Sequence, residues 1–316
     1  MRKLIDVFFL LRPPLLAASA TFFFAGAVSS RHLAHHSYGV ALMLSCLPAL
    51  GIFLLVVGLA FVVNQVFDVR SDAINKKNFI LSSRAVSRRE SVVFAAVLAA
   101  AIVVLCLGRG GEMAILAFAG VALAIAYSTP PLRLKARPVA DLLANTAGFG
   151  WVGFMMGWVV FGDIGREAAI KSSPYAVAMA AIFLNTCIPD EVGDRAAGDA
   201  TTCVVFGRRA VALAALLLLV AAAIMGAWLE ETIAALAALA AVPAFVAVAV
   251  EPSPANSVLA SQLAARVLFV LVAIMAPLLA LVGAAAYVLS KVYYVKRFGI
   301  DYPRLTGAKL DAADPG

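Results

Sequence analysis

The feature that most limits what this chain can fold into is a succession of long apolar segments separated by short charged loops. A helix needs about 20 apolar residues to cross a bilayer. Nine stretches come near or past that length, roughly 14–30, 40–63, 91–108, 112–128, 140–161, 173–189, 209–229, 232–250 and 264–289. Backbone in lipid must satisfy its own hydrogen bonds, so such segments become helices or a closed barrel. The strand alternation of a membrane barrel is absent. The expected fold class is therefore an all-α membrane protein with about nine transmembrane helices. Composition agrees: 64% of the 316 residues are hydrophobic, 14% are charged, and mean hydropathy is +0.99. Globular chains carry about 25% charged residues. Glycine- and alanine-rich runs such as 95–101 and 234–241 suit close helix packing in lipid.

Residues 1–290 read as a single transmembrane domain and 291–316 as a polar C-terminal tail. Arg2 and Lys3 begin the chain, but no small-residue cleavage site follows a short apolar core. The first segment is thus expected to remain a span. Cys46, Cys106, Cys187 and Cys203 share no spacing and lie in or beside apolar segments, so they read as small packing residues.

The net charge of +7 is unevenly distributed. With the N-terminus in the cytoplasm, that side holds Arg2, Lys3 and Arg12 and the loops at 68–90, 133–137 and 190–209. These regions hold 15 of the 25 basic residues. The opposite loops hold Arg31, Arg109, Arg166 and Lys171, a bias that fits the positive-inside rule. One group resists it. Nine spans leave Lys291, Lys296, Arg297, Arg304 and Lys309 on the wrong side. Short basic loops without a basic domain exclude nucleic acid as a partner. They suit anionic membrane lipids or a phosphorylated substrate.

Two acidic motifs carry the chemistry. Asn64, Asp68 and Asp72 fall at intervals of four at the end of the second span, so a continuing helix places them on one face. Asp190 and Asp194 repeat the spacing at the end of the sixth span, on the same predicted side. Like charges at i, i+4 repel, so the pairs make sense with a cation between them. Mg²⁺ prefers such oxygen ligands and commonly bridges to substrate phosphates. The structural alternative is a set of solvated interfacial carboxylates. Polar groups at membrane depth are costly and usually functional, which weighs against it for two matched pairs.

Basic residues lie beside both motifs. Lys76, Lys77 and Arg84 follow the first, Arg195 follows the second, and Arg133, Lys135 and Arg137 share a short loop with Tyr127. Pro130 and Pro131 stop the helix there, so this loop is expected to present its cations to a diphosphate. Asp141, Asn145 and Asn185 are candidates for contacting an acceptor or the cavity, with interhelical hydrogen bonds as the competing role. Phe22, Phe23, Phe24, Phe149, Trp151, Phe154 and Trp158 either line a tunnel for an apolar tail or pack the bundle. His32, His35 and His36 resemble a metal site only loosely and fall on the opposite side.

These motifs, taken in order, carry a resemblance. N-x-x-x-D-x-x-x-D (Asn64, Asp68, Asp72), D-A-I-N-K, Y-S-x-P-P-L-R-L-K from Tyr127, and D-x-x-x-D-R-A-A-G from Asp190 to Gly198 resemble the UbiA superfamily of intramembrane prenyltransferases. The Arg12–Pro13 pair is similar to that family's entry to its first span, and the resemblance covers roughly residues 10–290. It implies nine helices around a central cavity, with the acidic motifs under a cytoplasmic cap. It also implies that Asp68, Asp72, Asp190 and Asp194 are catalytic Mg²⁺ ligands, and that Asn64 and Tyr127 belong to the diphosphate site. Two positions depart from the family pattern: Phe79 stands where a phosphate-facing arginine is usual, and Ala200, beside Asp199, where a lysine is usual. The clamp is therefore less basic than typical.

The expected protein is a multi-pass enzyme of a bacterial inner membrane with its active site on the cytoplasmic side. It would move a polyprenyl group from its diphosphate to a small aromatic acceptor, as in quinone or related lipid biosynthesis. The nearest alternative is a terpene cyclase of the same superfamily, acting on a prenyl diphosphate without an acceptor. A transporter or non-catalytic lipid-binding protein fits less well, because transporter sites lie near the midplane rather than at one surface.

Overall fold

A computed structural model of the chain describes residues 2–33, 38–74, 79–109 and 111–303. Every regular element among the described residues is helical. A short amphipathic helix, α1 (Arg2–Phe9), precedes α2 (Pro13–Leu33), which opens on proline, whose missing N–H costs nothing in a first turn. Helix α3 (Val40–Ile74) has 35 residues, about 50 Å at 1.5 Å per residue. It therefore carries the first acidic motif to the edge of its apolar stretch, which ends at Val69, with Asp72 beyond that edge.

One turn, α4 (Phe79–Ser82), leads to α5 (Arg88–Leu107), which starts at a reciprocal cap between Ser87 and Glu90. Then come α6 (Gly111–Ser128) and α7 (Ala140–Asn145), which runs through a π-helical stretch, Thr146–Val152, into α8 (Gly153–Trp158). Helix α9 (Arg166–Cys187) bends by 72° into α10 (Glu191–Ala197). Pro189 lies at the bend and cannot donate to a continuing helix. Four long helices finish the chain: α11 (Thr202–Trp228), α12 (Thr232–Val250), α13 (Pro254–Met275) and α14 (Leu278–Phe298).

Among the described residues, eight helices are long and apolar enough to cross a membrane, nine when α9 and α10 form one bent span. The continuous α7–α8 run is a further crossing from the Asp141 end of the bundle to the Glu112 end. The all-helical membrane architecture read from the sequence holds. Its last segment does not keep its predicted bounds. The stretch 264–289 divides where Ala276, placed before Pro277, leaves the helical region (φ −129°, ψ 72°), as residues before proline tend to. Helix α14 then runs back along the bundle. At one end the Gly39 N–H donates to the Met275 carbonyl (2.8 Å), and at the other Tyr293 and Arg297 bond Asp6 of α1 (2.7 and 3.0 Å). Lys291, Lys296 and Arg297 therefore lie toward the end of the bundle where the chain begins, which removes the charge exception. Arg304 and Lys309 lie outside the described residues.

Small residues let the central helices touch. A Cβ on Gly26 of α2 would strike the Phe154 carbonyl, and one on Gly157 of α8 would strike the Phe23 carbonyl. Phe22, Phe23, Phe24, Phe154 and Trp158 are buried beside that seam, so they pack the bundle. The four cysteines are all buried, as expected of packing residues. His35 and His36 lie outside the described residues, as does the His32 side chain.

Candidate functional site

Helix α3 stays regular to Ile74, so Asn64, Asp68 and Asp72 do share one face. Helix α10 packs against α3. Asp190 stands at the entry to α10 and Asp194 in its first turn, where the positive end of a helix dipole favours an acid. All five side chains line one polar cavity of about 380 Å³. The two motifs, more than a hundred residues apart in sequence, thus meet through the α9–α10 bend.

The loop between α6 and α7 supplies the cation. Arg133 (φ 37°) and Val139 (φ 68°) hold left-handed conformations that non-glycine residues rarely adopt. Backbone bonds from Arg133 N to Thr129 O (2.8 Å) and from Arg137 N to Leu134 O (3.0 Å) fix this shape. Such local strain is commonly tolerated at functional sites. Lys135 is thereby buried and ion-paired with Asp68. Burial pushes its ammonium down to about 8, against the raising influence of Asp199 and Asp194. Arg133 pairs with buried Asp199 at 2.9 Å, and Asp199 lines the same cavity.

A second cavity of about 190 Å³ adjoins the first and is walled by Phe53, Val56, Phe61, Leu123 and Phe149 among others. Arg12, Asn64, Tyr127 and Asn145 line both cavities and mark the junction. A polar chamber therefore meets an apolar one across a rim of hydrogen-bonding side chains.

The structure brings Asn64, Asp68, Asp72, Tyr127, Lys135, Asp141, Asn145, Asp190 and Asp194 to the polar cavity. Arg133 reaches it only through Asp199. Asp141 has a structural tie as well: it accepts the Thr202 N–H (2.7 Å) and bonds the Thr202 hydroxyl, holding α7 to the start of α11. Besides Arg133, four expected residues do not line the cavity, the first being Arg137, which donates to the Pro131 carbonyl (2.9 Å) at the surface. Arg84 lies in a groove between α3 and α5. Arg195 bonds Glu191 one turn back (2.6 Å) on an exposed face of α10. Asn185 is fully buried, and among the described residues neither of its amide atoms has a hydrogen-bond partner. Lys76 and Lys77 lie outside the described residues, as does the Phe79 side chain. Ala200 is exposed, away from the cavity wall.

Arg12 is the residue that sequence reasoning undervalued. It lines both cavities in a left-handed conformation (φ 54°), with its guanidinium 5.6 Å from the Phe61 ring. Its neighbour Pro13 was the available signal, since proline at a helix start fixes where the preceding residue stands.

Among the described residues, no three His, Cys, Asp or Glu side chains stand close enough to form a metal cage. The donor set nevertheless fits Mg²⁺, which is commonly held by one or two carboxylates together with substrate phosphates. Asp68, Asp72, Asp190 and Asp194 offer hard oxygen donors around one polar cavity.

Fold and site define the class: a helical integral membrane protein in which a carboxylate-lined chamber opens into an apolar one. The chain belongs to the UbiA prenyltransferase family, which its residues 16–252 match. Over 157 residues it is 34% identical to a lycopene elongase/hydratase from Haloarcula japonica, a match covering 46% of this chain and 49% of the relative. The match thus spans about half the length of that curated relative. A UbiA homologue from Archaeoglobus fulgidus bound to GPP and Mg²⁺ superposes with a TM-score of 0.64 at 17% identity, over 89% of this chain and 99% of that one. A digeranylgeranylglyceryl phosphate synthase gives 0.60 at 18% identity, over 90% and 99%. The apo UbiA homologue from Aeropyrum pernix gives 0.58 at 17% identity, over 87% and 97%. At these identities the structural likeness is one of fold.

Proposed function

We propose that this protein transfers a prenyl group from its diphosphate to an electron-rich lipid acceptor, using Mg²⁺, on the cytoplasmic side of a bacterial inner membrane. The observation that carries this reading is the meeting of two chambers. One is lined by Asp68, Asp72, Asp190, Asp194 and Lys135, and the other by Phe53, Phe61 and Phe149. The amphipathic shape of a prenyl diphosphate matches that pair. Its head group belongs among the carboxylates and its tail in the apolar chamber.

The four aspartates would hold Mg²⁺, which when bound neutralises charge developing on the leaving diphosphate. Lys135 and Arg12 add fixed positive charge beside the same oxygens, and Asn64 and Tyr127 donate hydrogen bonds at the junction. Lys76 and Lys77, close after Asp72 in sequence, remain proposed diphosphate contacts. The apolar walls keep water from the allylic carbon as its bond to oxygen breaks. A double bond of the acceptor then attacks that carbon, and the resulting cation is quenched by losing a proton, or by adding water and then losing a proton to give an alcohol.

The acceptor expected from the sequence is a small aromatic precursor of a quinone-type lipid. A second reading, an isoprenoid polyene, is favoured by two observations. The apolar chamber has polar groups only at Arg12, Asn64, Tyr127 and Asn145, and the similar Haloarcula protein is a lycopene elongase/hydratase. The test is pyrophosphate release by detergent-purified protein with Mg²⁺ and geranyl, farnesyl or geranylgeranyl diphosphate. It is run with an aromatic panel, with a polyene, and without acceptor, and products are analysed by mass. Acceptor-dependent release with a gain of one prenyl group is the expected result. Release without acceptor, with a cyclic hydrocarbon or terpene alcohol as product, would move the protein to the cyclase reading.

A further inference from the structure

Arg84 lies away from the carboxylate cavity, in a separate groove of about 560 Å³ between α3 and α5. Val66, Phe67, Leu81 and Val86 wall the groove, while Arg84 and Arg88 stand at it with exposed side chains. Its height is set by the helices. Val69 is the last residue of the apolar stretch in α3 and Arg88 the first of that in α5, so the groove straddles the boundary between apolar and polar surroundings. Below it, α5 presents Val92, Val93 and Val97 outward, each more than half exposed.

Among the described residues neither arginine is ion-paired. The nearby acid, Glu90, is already committed to Lys3 (2.6 Å) and to the Ser87 cap (2.9 Å), so its charge is balanced. Both arginines are held in place. Arg84 takes a left-handed conformation (φ 57°), fixed by its N–H to the Leu81 carbonyl and by Ala85 N to Ile80 O, both 3.0 Å. Leu81 and Ile80 are buried, so this turn is anchored. The Arg88 guanidinium lies 5.6 Å from the ring centroid of Phe67, a cation–π arrangement.

We propose that this groove binds an anionic phospholipid, with its phosphate between Arg84 and Arg88 and an acyl chain along the groove walls and the outer face of α5. Guanidinium groups hold phosphate oxygens through paired hydrogen bonds, and basic pockets between spans suit acidic head groups. Phe67 immediately precedes Asp68, so an occupied site also braces the turn of α3 that carries the first acidic motif.

Native mass spectrometry of the purified full chain, titrated with phosphatidylglycerol or phosphatidylcholine of matched acyl chains, tests this. Phosphatidylglycerol should bind more tightly, and Arg84→Gln/Arg88→Gln should weaken it roughly 30-fold, at about a factor of five per arginine. Phosphatidylcholine, whose choline cancels the charge of the same phosphate, should lose less affinity, and Arg166→Gln, a charge removed at the opposite end of the bundle, should leave both lipids unaffected. Equal binding of the two lipids by the native chain would overturn the proposal, as would undiminished phosphatidylglycerol binding by the double variant. If that variant does not extract as a folded monodisperse protein, Arg84→Gln alone carries the same test at roughly fivefold.

Discussion

Asp68 and Asp72 stand four residues apart on one helix, where two carboxylates repel, and the buried ammonium of Lys135 against Asp68 offsets part of that repulsion. Replacing Asp68, Asp72, Asp190 or Asp194 by Ala should each lower turnover about 100-fold or more, the scale of losing one preorganised electrostatic group. The protein should still extract and elute as the native chain does. Near-normal pyrophosphate release from any two of the four would sink the metal-site assignment. Lys135 gives a pH signature. Burial places its transition at about 8, so the cation is present below that pH and lost above it. Accordingly kcat/KM for the diphosphate donor, which reports the free enzyme, should fall as pH rises through about 8. Lys135→Arg should move that fall beyond pH 10, since guanidinium stays charged, while Lys135→Met should cost about 10–100-fold below pH 8 and progressively less above it. A kcat/KM flat to pH 10 in the native chain would remove Lys135 from the donor site. The aspartates were legible because their spacing names a helical face. Arg84 and Arg195 were not, because nearness in sequence does not give direction: one faces a different groove and the other folds back to Glu191.

At the scale of elements, hydropathy located the long helices and ended the sixth span at Pro189, where α9 bends, but it missed the break at Pro277. A run of apolar residues reads as one span, yet Pro277 divides α13 from α14, and its influence on Ala276 was available from the residue types alone. The α9–α10 bend lies at Pro189, which has no N–H to continue the helix, and it turns Asp194 toward α3. Helix contact was legible only as a tendency toward small residues. Which glycines matter depends on the partner helix, and α2 and α8 meet at Gly26 and Gly157. Gly157→Ala or Gly26→Ala pushes a methyl group into a facing carbonyl and should cost about 1–3 kcal/mol. Gly51→Ala in α3, which meets nothing within 4 Å, should be neutral or slightly stabilising. Thermal unfolding in detergent distinguishes them. Equal midpoints for Gly157→Ala and Gly51→Ala would mean that α2 and α8 do not pack at this seam.

Across the whole molecule, the direction of each helix follows from contacts at its ends. Glu112 accepts the Ile164 N–H (3.0 Å) and Lys171 bonds the Leu229 carbonyl (2.5 Å), which gathers the starts of α6 and α9 with the end of α11. Lys135–Asp68 and Lys3–Glu90 gather the opposite end, where the acidic motifs and α1 lie. Helix α14 closes this pattern, since Arg297 and Tyr293 reach Asp6, a carboxylate buried to 2% exposure. A buried carboxylate stripped of its partners is costly, so this contact fixes where α14 ends. Both chain ends should therefore face the same side of the membrane. Single cysteines at Lys3→Cys, Asp301→Cys and Arg166→Cys, labelled with a membrane-impermeant maleimide in right-side-out and inverted vesicles, measure this directly. The four native cysteines are buried and should contribute little background. Lys3→Cys and Asp301→Cys should react from one side and Arg166→Cys from the other. If Asp301→Cys instead reacts together with Arg166→Cys, α14 does not return along the bundle. The basic residues near its end would then stand against the charge bias that the other loops obey.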